Sequence, residues 1–123
     1  MVLSLSEKIS FDEAFAQSSS EAIKILGDEV AKIVTDYLES RYSINITKTA
    51  NNPAALDEAL EHAIDGGRAI VERKLMNLLY EKLGIYPLSK TNNSSSSFEQ
   101  RVNEVRSRYC KWVTIYYFFL LVK

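Results

Sequence analysis

One histidine and one cysteine bound the acid–base and thiol chemistry open to this chain of 123 residues. His62 has Glu58 one helical turn before it and Glu61 beside it, so a carboxylate could orient its imidazole for proton transfer. The Glu-x-x-His spacing of helical di-iron sites is absent, because Ala59 stands where the glutamate would be, and no second ligand set occurs. Cys110 follows Arg108 and precedes Lys111, cations that favour a thiolate, yet no histidine lies near it in sequence to act as a base. An exposed histidine on an amphipathic helix and a packing or incidental cysteine are the readings these residues support.

Gly66, Gly67 and Arg68 would bring free backbone donors and a cation to a helix start, an arrangement that attracts anions. With no strand before them and no lysine–threonine pair after them, they do not make a phosphate loop. If a small ligand binds, its site is expected at this turn, among His62, Gly66, Gly67 and Arg68. Arg101, Arg106, Arg108 and Lys111 gather just before an apolar run, with Tyr109 and Trp112 interleaved. Such cations could meet nucleic acid or a lipid surface. A pI near 5.9 and the lack of a recognition motif argue against nucleic acid. No catalytic residue, metal or cofactor is expected.

Apolar spacing predicts about five amphipathic helices, an all-α bundle. Ser10 and Glu13 form a capping-box pair, followed by Phe11, Ala14, Phe15, Ser18, Ala22, Ile25 and Leu26 on one face and a stop at Gly27; Ser18-Ser19-Ser20 is expected to break this segment. Asp28 is expected to cap a second helix whose stripe is Val30, Ile33, Val34, Tyr37, Leu38 and Tyr42. Residues 43–51 read as an extended loop. Asn52-Pro53 starts a third helix, Gly66-Gly67 bends the chain, and a fourth runs from Arg68 to Leu83 with Ile70, Val71, Leu75, Leu78 and Leu79 inward and Gly84 as its stop. Leu88 to Ser97 is a polar linker, and Ser97 can cap a fifth helix.

That fifth helix carries the most regular pattern. Phe98, Val102, Val105, Tyr109, Trp112, Tyr116 and Phe119 alternate gaps of four and three, a heptad face suited to another helix. Val113 to Phe119 is rich in β-branched and aromatic residues, which favour strand, so 112–122 stays open between helix and strand. Residues 1–109 are taken as one helical domain and 110–123 as an aromatic, apolar C-terminal tail. As a helix, Trp112 to Val122 would reach roughly 16 Å against a bilayer core of about 30 Å, too short to span.

Charge divides the chain as well. Residues 1–66 hold twelve acids and five bases, and residues 67–123 four acids and ten bases, within a net charge of −1. Opposite halves can attract within one fold or between copies; the simpler and favoured reading is that each half's charges solvate its own outer face. One cysteine and a start without a secretory signal lead to the expectation of a cytoplasmic protein.

Four blocks, Ser10-Phe11-Asp12-Glu13-Ala14, Ile25-Leu26-Gly27, Tyr37-Leu38-Glu39-Ser40-Arg41-Tyr42 and Leu79-Tyr80-Glu81-Lys82-Leu83-Gly84-Ile85, together resemble a family of small archaeal helical domains. The resemblance spans residues 10–106 and rests on the order of short motifs. It implies an all-helical domain without catalytic residues, in some members attached to a response regulator as an output module. The aromatic tail after Arg108 departs from that pattern. The leading expectation is a non-enzymatic interaction or dimerisation module, possessed of a self-partner or another protein and placed in archaeal signalling. Two alternatives are a ligand binder or enzyme at the turn around His62, and a peripheral membrane protein using its tail.

Overall fold

The computed structural model of the chain describes residues 9–85 and 97–122. Five α-helices build it: α1 (Phe11–Ile23), α2 (Asp28–Tyr42), α3 (Pro53–Ile64), α4 (Arg68–Leu83) and α5 (Phe98–Val122). Short 3-10 turns occupy Lys24–Leu26, Ile46–Lys48 and Asp65–Gly67, and no strand occurs among the described residues. The fold is the all-α bundle that the periodicity predicts.

Local chemistry sets most boundaries. Ser10 Oγ accepts from the Glu13 amide at 3.0 Å, and Asn52 Oδ1 accepts from the Ala55 amide at 3.3 Å with Pro53 in the first turn. Ser97 accepts from the Gln100 amide at 3.1 Å, and Gln100 Oε1 returns a bond to the Ser97 amide at 3.0 Å, a complete capping box. Gly84 ends α4 with φ +69°, where a side chain would be strained. Most of the predicted linker, residues 88–96, lies outside the described residues.

Three local expectations are corrected. The serine run does not break α1: Ser18 and Ser19 are buried where α1 packs most extensively, against α4, and the Ser19 hydroxyl is absorbed by the Ala16 carbonyl at 3.1 Å. Small side chains let the two helices approach, and that packing outweighs serine's modest helix propensity. Asp28 is the first residue of α2 rather than its cap; Gly27, at φ +95°, takes the cap position, and Asp28 faces the positive helix end instead. Residues 43–51 are not extended: the 3-10 turn folds back to bury Ile46, Thr49 and Ala50.

The core joins Phe15, Leu38, Leu56, Leu60, Val71, Leu75 and Leu79, and α5 enters it through Phe98, Val102, Val105 and Tyr109. Three hydrogen bonds pin α5 to the first half of the chain. Tyr109 Oη donates to the Ile9 carbonyl, and the Arg106 guanidinium donates to the Ala50 carbonyl and Asn51 while lying 4.9 Å over the Phe11 ring. Outside this core, Val30, Ile33, Ile25 and Ile70 are exposed, although their spacing predicts burial. The true inner stripe of α2 is Ala31, Val34 and Leu38, rotated from the bulkier residues because alanine allows the closer approach.

Candidate functional site

Helix α5 is longer than anything it packs on. It has 25 residues, about 37 Å at 1.5 Å per residue, whereas α1 to α4 have 13, 15, 12 and 16, about 18–24 Å each. A short bundle cannot cover a long helix, and the C-terminal part of α5 is left uncovered. Trp112 is 47% exposed, Phe119 65% and Leu121 84%, and Ile115 and Phe118 are exposed beside them. Spacings of three and four place Trp112, Ile115 and Phe119 on one stripe with Phe118 at its flank. The Trp112 ring stacks on Tyr109 at 6.3 Å, so the stripe begins where the buried seam ends.

The heptad face expected to meet a second copy is thereby divided. Phe98, Val102, Val105 and Tyr109 are buried in their own chain, where α3 and α4 flank α5, and are not available to a partner. A seven-residue repeat drifts around a straight helix, so its later members Trp112 and Phe119 turn away from that seam. Tyr116 lies in α5, and its side chain is outside the described residues. The helix runs unbroken through residues 109 and 110, so the tail is the free end of α5 and not a separate element.

A second group of residues joins α3, α4 and α5. Arg68 Nη1 lies 3.2 Å from Asp57 Oδ1 and 3.6 Å from Glu61 Oε1. Glu72, one turn beyond Arg68, is only 6% exposed, and its Oε2 has no hydrogen-bond partner among the described residues. Burial, then a hydrogen bond to Asp57 and its negative charge, push the Glu72 carboxyl up to about 8 against the pull of Arg68 and Arg101. Burial beside the Asp57 carboxylate thus favours the protonated form of Glu72. Asp57 and Glu61, and Arg68 and Glu72, are each four apart, which is the signal that could have revealed the cluster. A charged side chain reads from sequence as solvated, and Glu72 was hidden by that rule.

The ligand site expected at the α3–α4 turn does not converge. His62 is exposed and stacks on Tyr42 at 6.0 Å, Gly66 is exposed, and Arg68 is spent on Asp57 and Glu61. Cys110 is exposed on α5, not packed. A groove of about 460 Å³ runs between the end of α1, α2 and the Ile46–Lys48 turn, with Lys24, Asp28, Lys32 and Asp36 along it; Lys32 and Asp36 pair at 3.2 Å. Among the described residues no group of three histidine, cysteine, aspartate or glutamate side chains could hold a metal ion, and no helix is long and apolar enough to cross a membrane.

Neither the protein-family models, nor the curated proteins, nor the solved structures compared with this chain contain a match to it.

Proposed function

We propose that the chain is a non-enzymatic helical module that associates with itself through the free end of α5. The observation that carries this reading is the exposure of Trp112, Ile115, Phe118, Phe119 and Leu121 together on a helix held rigidly by the bundle at its other end. Trp112, Ile115 and Phe119 on one stripe, with Phe118 at its flank, form an apolar patch of the kind that marks an interaction surface. Aromatics suit such a surface, because they bring area with few rotamers to immobilise. The place of the module in archaeal signalling is part of this proposal and rests on the motif order alone.

Charge reversal on the patch tests it. In the full chain, Phe119→Glu should convert a dimer into a monomer and leave the melting temperature unchanged at dilutions where both chains are monomeric, since Phe119 contributes little to the bundle. Retained dimerisation would reject α5 as the interface. A second reading has one observation in its favour: no acid follows Glu104, while Arg106, Arg108 and Lys111 precede the apolar end. A lipid surface would favour that order. Binding of the monomeric chain to anionic vesicles, with no self-association, would select it.

A further inference from the structure

The second copy must offer α5 a surface, and the bundle displays one. Along α2, Val30 and Ile33 are exposed, Ile33 by 65%, and half-buried Tyr37 continues their three-and-four spacing. The sequence marks these three as core residues, yet the monomer leaves them at its surface. Tyr37 and Tyr42 meet edge to face at 5.9 Å, extending the strip toward the end of α2. Val30 to Tyr42 covers about 18 Å of helix, and Trp112 to Val122 about 15 Å. The lengths match.

Charge matches as well. Glu29, one turn before Ile33, borders the α2 strip, and Lys111 stands one turn before Ile115 of the α5 stripe; Asp36 already pairs with Lys32 at 3.2 Å, and Arg108 is half-buried with its Nη1 inside its own chain. Two α5 ends laid side by side in parallel would instead bring their Lys111 cations together. The acidic first half and basic second half of the chain repeat the same complementarity at larger scale.

We infer that the free end of α5 in one copy lies along the Val30–Ile33–Tyr37 strip of α2 in a second copy, with Lys111 set against Glu29. This rests on the self-association proposed above and names its counterpart surface. Each copy contributes both surfaces, so residues that look misplaced in the monomer are covered in the assembly.

Cross-linking tests the pairing in full-length chains. Two single-cysteine variants are made in a Cys110→Ser background, Ile33→Cys and Ile115→Cys, then mixed and oxidised under mild conditions. The pairing yields a disulfide between position 33 of one copy and position 115 of another, in excess of either self-linked product. Predominant 115–115 products would overturn α2 as the counterpart while leaving self-association intact. Chains that sediment as monomers and do not cross-link overturn both. In the otherwise native chain, Ile33→Glu should weaken association by about tenfold or more, with an unchanged melting temperature at dilutions where the chain is monomeric; an unaltered dissociation constant overturns the pairing. Flotation of monomers with phosphatidylglycerol vesicles would assign the α5 end to lipid and overturn it likewise.

Discussion

Glu72 sits in the bundle as a carboxylic acid rather than a carboxylate, and its proton has a measurable consequence. In the folded chain its carboxyl is pushed up to about 8; in the unfolded chain it returns to an ordinary 4.5. Between those values the folded state holds a proton that the unfolded state has released. Stability is therefore unaffected by Glu72 below about pH 4.5, falls as pH rises toward 8, and levels off above it. The loss across that window is on the order of 5 kcal/mol. Glu72→Gln carries no charge at either pH, so urea unfolding at pH 5 and pH 8 should give nearly equal stabilities for the variant and unequal ones for the native chain. Parallel losses in both would show that Glu72 is not the source. Leu38 and Leu75, read from their stripes as core, are fully buried. Truncating either to alanine should cost about 2–5 kcal/mol in thermal or urea melts. His62→Ala should stay within about 0.5 kcal/mol of native, because an exposed stacked ring holds little of the fold.

Among the elements, α5 shows how far periodicity reaches. Helix starts with side-chain caps were legible at Ser10, Asn52 and Ser97, because one oxygen meeting one free amide is a local event. Which face of a helix turns inward is not local. Val30 and Ile33 belong to the same apolar stripe of α2 as Val34 and Leu38, and only the approach of α3 and the Lys24–Leu26 turn decides between them. The same holds for α5, whose single heptad pattern covers a buried seam up to Tyr109 and an exposed stripe beyond it. Composition favoured strand after Trp112, yet with no strand to pair with among the described residues, the backbone satisfies itself as helix. The division of α5 predicts unequal mutant effects. Val105→Ala should destabilise the monomer by roughly 2 kcal/mol, whereas Ile115→Ala should leave its unfolding free energy within about 0.5 kcal/mol of native. Equal losses at dilutions where the chain is monomeric would mean that the α5 end is packed inside the bundle.

As a whole, the molecule is a short four-helix packing with one helix that outgrows it. Its candidate surface was legible in part: the aromatic run was conspicuous, but the residues of the heptad face that serve the chain's own core could be told from those left outside only by the lengths of α1 to α4. The central claim is that the free end of α5 is covered by a second copy. Sedimentation equilibrium of the unaltered full chain across a range of concentrations tests it most directly. The account predicts a reversible shift from the 14.0 kDa monomer to a species of about 28 kDa, with no change in helical content. A single 14.0 kDa species at every concentration would contradict it.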